Sequence, residues 1–321
     1  MVSTSEPGPS GVVRRECRLT VRFALALPIE GPDPSPDLYR QSAVRRMATT
    51  IEAAGFDACS VTDHPFPTRS WLAGGGHHSM DPLVALACAG TATTTLQLFT
   101  NCYIPAYRHP YVAAKGVATL DALTDGRVIL GLAAGYLEGE FAALDVPFEG
   151  RGRLLDTAIT QMKEAWTGRD TPAGNVALPT PVSRPHPPIW IGGNSRTAMR
   201  RAILAGDGWI PFPAPPRLAK VVRTRPLRSH DDLAGRLADM RDTAAASGRD
   251  RPLDICFTPL SHPPWKENCD PAALVEEAQL LANLGVTWLS FHLPAPTVDE
   301  FCDNVLRIGE EAIEPIKKGV S

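Results

Sequence analysis

From Val21 onward the chain alternates short apolar or β-branched runs with longer amphipathic stretches, the signature of a parallel sheet built from βα units. Eight runs read as strands: Phe23–Leu27, Ala58–Thr62, Leu96–Tyr103, Val128–Ala133, Ile189–Ile191, Gly208–Pro211, Leu253–Thr258 and Thr287–Leu293. Between and after them, helical periodicity covers Ser42–Ala54, Pro82–Ala92, Tyr111–Leu123, Gly152–Trp166, Ser195–Ala205, Leu233–Ser247, Pro271–Leu284 and Val298–Ile313. Gly55 reads as a helix stop and Asp125-Gly126 as a turn. Eight strands alternating with eight helices leave no sheet edge to protect, so the expected fold is α/β, a closed (β/α)8 TIM barrel. Gly168–Pro188, rich in Pro, Gly and Thr, reads as an excursion after strand 4, and Pro211–Leu227 as an irregular insertion after strand 6. Residues 1–20 read as a disordered leader and 21–321 as one barrel domain.

Composition narrows the partners. The 321 residues are 44% apolar and 21% charged with a formal net charge of −3, which suits a well-packed globular enzyme and gives no field for nucleic acid or anionic lipid. No stretch approaches the about 20 apolar residues of a membrane span, and the first residues lack a secretory core. The seven cysteines are scattered, without C-x-x-C spacing, and read as small core hydrophobes in a reducing compartment. The expectation is a cytoplasmic protein with a small-molecule substrate, no metal, no nucleic acid and no membrane, working as a homodimer.

In such a barrel the reacting groups leave the carboxyl ends of the strands. Strand 2 ends in Thr62-Asp63-His64-Pro65, an acid and an imidazole together; His64 is suited to proton exchange near neutrality, although Asp63 as a turn cap and His64 as a solvated loop residue fit the spacing equally. Strand 3 runs through Asn101 and Tyr103 into Arg108-His109-Pro110; a flat ring could lie against this polar and aromatic end, or Tyr103 could simply fill the barrel mouth, and Arg108 and His109 read best as caps of the next helix. Strand 4 ends in Gly131 to Glu138, where small residues, Gly135 among them, admit a ligand to the backbone or relieve crowding, and where Tyr136 offers a hydroxyl. After strand 5, Gly192-Gly193-Asn194-Ser195 leads straight into a helix, a context that favours phosphate binding while leaving Ser195 free to act as an N-cap. There is no Walker sequence and no dinucleotide fingerprint.

Taken in order, these segments resemble the luciferase-like monooxygenase superfamily, and most of all its branch using the deazaflavin coenzyme F420. The resemblance runs from about Phe23 to Leu293 and is carried by Glu52-Ala53-Ala54-Gly55-Phe56-Asp57 with Thr62-Asp63-His64, by Arg108-His109-Pro110 with Ala114-Lys115 and Thr119-Leu120-Asp121, and by Asp125-Gly126-Arg127 with Leu130-Gly131. Glu140-Phe141, Val146-Pro147-Phe148, Arg151-Gly152-Arg153 and Pro187-Pro188-Ile189-Trp190-Ile191-Gly192-Gly193 complete it. It implies a cofactor ring across the carboxyl-end mouth, near Asp63 and His64, with its phosphate at Gly193, Asn194 and Ser195 and a non-proline cis peptide at the Thr100-Asn101 strand end.

On this reading His64, Asp63 and Tyr136 are the catalytic candidates, and Asn101, Tyr103, Gly135, Gly192, Gly193, Asn194 and Ser195 hold the cofactor. Two departures bear on the chemistry. Sugar dehydrogenases of this branch carry a glutamate where Tyr136 stands, so sugar oxidation is not expected; light-emitting members place an arginine near Ala134, and its absence points from FMN toward F420. The expected activity is hydride transfer between non-covalently bound F420 and a small organic substrate. The alternatives are a reduced-FMN and oxygen monooxygenase served by a separate reductase, and a non-catalytic ligand-binding barrel. Trp71, His77 and His78 bracket Gly74-Gly75-Gly76, which reads either as a lid that closes when cofactor binds or as a disordered surface loop that never closes.

Overall fold

Eight short parallel strands pair in sequence order and the last pairs with the first: β1 (Arg22–Ala26), β2 (Ala58–Val61), β3 (Gln97–Tyr103), β4 (Val128–Leu132), β5 (Ile189–Gly192), β6 (Gly208–Ile210), β7 (Asp254–Phe257) and β8 (Trp288–Phe291). This is the closed (β/α)8 barrel that the alternation implies. The computed structural model describes residues 21–31, 33–170, 173–263 and 269–319, so the expected leader lies outside the described residues. The helices are α1 (Gln41–Ala53), α2 (Arg69–Ala73), α3 (Pro82–Gly90), α4 (Pro110–Leu123), α5 (Glu138–Ala143) and α6 (Arg151–Trp166) in the first half. The second half adds α7 (Arg196–Ala205), α8 (Pro216–Val221), α9 (His230–Ala246), α10 (Pro271–Leu284), α11 (Val298–Ile308) and α12 (Glu314–Lys318).

The barrel interior is filled by inward-facing side chains, among them Phe99, Ile129, Trp190, Ile210 and Trp288, and the outward faces of the strands pack beneath the helices in a second, larger cluster. Trp190 meets Phe99 and Trp288 edge to face at 5.1 and 5.3 Å, and Arg22 lies over the Trp288 ring at 4.9 Å at the amino-end floor. With the centre plugged by these rings, a ligand is left the carboxyl-end mouth.

Most strand limits fall within one or two residues of the sequence reading. The real differences are α2, α5 and α8, which are too short to show periodicity, and the end of the chain. The closing helix, read as continuous to Ile313, leaves regular α geometry at Ile308 and passes through a π-turn over Gly309–Ile313. Gly309 packs so tightly on α1 that a Cβ there would meet the Ala54 carbonyl oxygen at 2.6 Å. Strands β3 and β4 also slip in register between Thr100 and Tyr103, around a cis Asn101–Cys102 peptide, which is the feature the family resemblance implies for this strand end.

Candidate active site

The carboxyl-end mouth opens into a cavity of about 1360 Å³ lined by residues from the ends of all eight strands and the loops behind them. Among its polar groups, His64 has both ring nitrogens engaged. Because side chains alternate along an extended segment, Asp63 and His64 leave the end of β2 in different directions and make no contact with each other. His64 Nδ1 lies 3.1 Å from Glu140 Oε2, and its Nε2 lies 3.2 Å from the Tyr136 hydroxyl. Glu140 is fully buried on the first turn of α5 and also accepts from the Tyr107 hydroxyl at 2.9 Å and the Phe66 N–H at 3.2 Å. A carboxylate so placed takes the Nδ1 proton, leaving Nε2 as the acceptor that faces Tyr136 and the cavity. Burial, and then the charges of Glu140 and Glu30, raise the Tyr136 phenol, so it stays protonated and serves as a donor.

Asp63, read as a catalytic candidate beside His64, is bonded elsewhere. Its carboxylate takes Arg108 in a two-pronged pair, at 2.6 Å to Nη1 and 2.9 Å to Nη2, and the Ile104 N–H at 2.9 Å. Burial pushes the Asp63 carboxyl up against the pull of Arg108, while the same pairing outweighs burial at the guanidinium and raises it. With its lone pairs so committed, Asp63 ties the β2 end to the β3 end. Arg108 in turn stacks on the Tyr103 ring at 4.4 Å, and Tyr103 is 1% exposed and absent from the cavity lining. Tyr103, read as a cofactor contact, sits in the core under Arg108 and does not line the cavity. His109 caps α4 through its own ring, as read.

Across the mouth, the turn after β5 behaves in two ways. Gly192, Gly193 (φ 117°) and Ser195 line the cavity, and Ser195 caps α7 by accepting from the Ala198 N–H at 3.1 Å. Asn194 does not line it. Its amide donates to the Phe212 and Arg225 carbonyls at 2.9 and 3.1 Å and accepts from the Phe212 N–H at 2.9 Å, while its own N–H goes to Thr224. Every polar atom of that side chain, read as a cofactor contact, is spent on joining the β5 and β6 loops.

The structure adds cations to this side that the sequence reading left out. Arg151, Arg201 and Arg223 all line the cavity here, Arg151 donating to the Gly135 carbonyl at 3.1 Å. Helix α6 starts beside them on Gly150 with no side-chain cap, so two helix amino-termini converge on one region.

Asn101 and Gly135 both line the cavity as read, Asn101 with its amide 3.4 Å from the Ser290 hydroxyl. Two residues missed in the sequence complete the rim. Glu30 accepts the Thr62 N–H at 2.6 Å and lies 3.7 Å from His292 Nε2. Burial drives the Glu30 carboxyl up, but the bond and charge of His292, with His77 and Thr62, outweigh it and hold the group below its usual value. The glycine loop is packed down over this side: Trp71 donates to the His77 carbonyl at 2.9 Å, a backbone bridge links His78 to Gly31, and His78 meets the Tyr39 hydroxyl at 2.9 Å. His77 lines the cavity with its ring 4.7 Å from that of His64, whereas Trp71 and His78 sit behind it. Burial, and then the neighbouring His64, lower the His77 imidazole to about 4.

The fold and mouth are those of a known class, and comparison with known proteins agrees. The model of the luciferase-like monooxygenase family matches residues 21–284, and the chain belongs to that family. It is 28% identical over 86% of its length to the F420-dependent hydroxymycolic acid dehydrogenase of Mycobacterium tuberculosis, covering 90% of that protein. It is 29% identical to the FMNH2-dependent dimethylsulfone monooxygenase of Pseudomonas putida, over 51% of this chain and 46% of that one. Among solved structures, the monooxygenase RslO1 from Streptomyces bottropensis superposes with a TM-score of 0.73 at 19% identity, over 92% of this chain and 99% of that one, a likeness of fold. The chain is thus an oxidoreductase enzyme of the luciferase-like type, and the non-catalytic barrel is set aside. Among the described residues no helix is long and apolar enough to cross a membrane.

Proposed function

We propose that this enzyme moves a hydride between non-covalently held coenzyme F420 and a small organic alcohol or carbonyl compound. The observation that carries the reading is the separation, within one cavity, of a cationic pole at the starts of α6 and α7 from an oriented imidazole at the end of β2. The cationic pole fits an anionic cofactor arm: N–H groups at the α6 start have no side-chain acceptor, Gly193 brings bare backbone to the surface, and Arg151, Arg201 and Arg223 stand around it. The residues that would hold the cofactor are these together with Gly192 and Ser195. When bound, F420 supplies the two-electron chemistry. The protein supplies position and the proton. His64 Nε2 takes the proton of a substrate hydroxyl, or returns it to a carbonyl oxygen, while Glu140 fixes the ring and stabilises its charged form. Tyr136 donates to the same nitrogen between turnovers, and the Asp63–Arg108 pair holds the strand end that carries His64.

F420 is favoured because the relative matched over nearly the whole length of both chains is named for it. A second reading, reduced FMN with oxygen, draws on Arg151, which reaches the Gly135 carbonyl and supplies an arginine beside Ala134 that is not evident from neighbouring sequence. Titrating the purified chain with reduced F420 and with reduced FMN distinguishes them. Micromolar F420 binding, with FMN at least tenfold weaker, is expected; the reverse order overturns the assignment. Ser195→Asp should raise the F420 dissociation constant about tenfold with the fold intact, since it sets a carboxylate against the cofactor phosphate. Unchanged affinity removes Ser195 from the phosphate site.

A further inference from the structure

In a closed ring of eight strands, the seam between β4 and β5 lies across the axis from the seam between β8 and β1. The cavity is charged accordingly. Among the described residues the Arg and Lys side chains that line it are Arg151, Arg201 and Arg223, all on the β4–β6 side. Arg201 is paired with Asp156 and Arg223 with Glu138, while Arg151 has no carboxylate partner among the described residues and donates to the Gly135 carbonyl. The β8–β1 side presents Glu30, Asp33 and Glu300 instead. Glu30 is 93% buried by its side-chain exposure of 7% and is held in its ionised form, and the nearest basic group to it, His292, lies 3.7 Å away. His77, on the same side, is kept neutral by burial. Arg46 stands outside in a separate shallow recess, paired with Asp299. Between the carboxylates the wall is mixed: Leu27 and Leu38 behind β1 and Leu293, Pro294 and Ala295 behind β8 supply apolar surface, beside Ser35, Ser290 and Asn304. The cavity of about 1360 Å³ extends over both sectors.

We infer that the β8–β1 sector is the substrate arm, and that it admits uncharged or cationic alcohols and carbonyl compounds with an apolar chain while rejecting carboxylates and phosphate esters. The inference rests on the reading above, in which the arginine side takes the cofactor. An anionic substrate here would be desolvated beside an ionised carboxylate with no arginine or lysine among the described residues of this side to meet it, and both like charge and burial disfavour that. A neutral chain meets no like charge, and its contact with the apolar part of the wall releases water. Specificity against sugar phosphates then comes from repulsion, independent of how well the sugar itself would fit.

The test uses the whole chain and isothermal titration with 2-octanone, octylamine, octanoate and glucose 6-phosphate. Each is measured once with F420 saturating and once with excess inorganic pyrophosphate, so that the arginine side is filled in both. The expected result is that 2-octanone or octylamine binds at least about 30-fold more tightly than octanoate or glucose 6-phosphate. The double variant Asp33→Asn with Glu300→Gln, both exposed and safe for folding, should cut that gap at least threefold, and Glu30→Gln should cut it further. Octanoate or glucose 6-phosphate binding as tightly as 2-octanone overturns the inference, and so does a gap that the double variant leaves unchanged. Failure of all four to bind overturns the assignment of this sector to substrate. Loss of F420 binding with the pyrophosphate series intact would sink the cofactor reading and leave the charge selectivity standing.

Discussion

Asp63 and His64 are neighbours on one strand end, yet the fold puts them to opposite uses. Asp63 is locked into a two-pronged ion pair with Arg108 and an N–H bond, with nothing left to exchange. His64 keeps one nitrogen tied to Glu140 and presents the other toward Tyr136 and the cavity. The difference teaches that an acid beside a histidine in sequence is not its partner. Strand geometry sends the two apart, and the acid that orients His64 comes from 76 residues further on.

Separating the two networks is the direct way to break this comparison. The largest effect should follow His64→Asn, which keeps a hydrogen-bonding side chain but cannot take a proton near neutrality. Turnover should drop about 10²–10⁴-fold, while F420 affinity and thermal stability change little. Wild-type turnover and pH dependence in that variant would make His64 structural and shift the proton to Tyr136.

Asp63→Asn should act in the other currency. It leaves the Arg108 guanidinium, with a side-chain exposure of 21%, without its main partner, and should lower stability by about 2–3 kcal/mol, read as a lower urea midpoint. If Asp63 only positions, the pH profile of whatever turnover remains should keep its wild-type shape. A shifted profile would return Asp63 to the chemistry.

The smallest effect sharpens the contrast from a third imidazole. His77 has a folded value of about 4 against an ordinary 6.5. Between those two values the unfolded chain binds the extra proton, so stability rises with pH across the window and is lost as pH falls from 6.5 toward 4. Allowing for partial exposure, the loss at pH 5 should be about 1 kcal/mol. Urea unfolding of wild type and His77→Gln at pH 7 and pH 5 measures it; an equal pH slope in both proteins would show that His77 contributes nothing.

What the sequence shows and what it conceals divide along physical lines. The strands are legible because each is a dense apolar run whose burial is nearly continuous, as in Val128–Leu132, buried at every position. His64, Gly193 and Ser195 are legible because a strand end or a strand-to-helix turn marks them locally. Glu140 is not, since it lies on a helix of six residues and its burial is decided by contacts with His64, Phe66 and Tyr107. The only sequence signal for it is its place in the family resemblance, beside Phe141. The Asp63–Arg108 pair spans 45 residues and Asn194 is consumed by a neighbouring loop, and neither fact has a local trace. Gly131, open to two readings in the sequence, proves to relieve crowding: a Cβ there would meet the Thr100 carbonyl oxygen at 2.1 Å.

The ring order of the strands also bears on how such an enzyme can change over generations. The arginine side hangs on α6, α7 and the segment after α8, and the acidic side on the loop after β1 and the first turn of α11, so the two share no residue. Substitutions at well-separated sites combine nearly additively. A lineage can therefore remodel the β1 and β8 loops, and with them the compounds it accepts, one mutation at a time without retesting its hold at the opposite seam. Diversity in this fold should accumulate unevenly around the mouth, fast at one seam and slowly at the other.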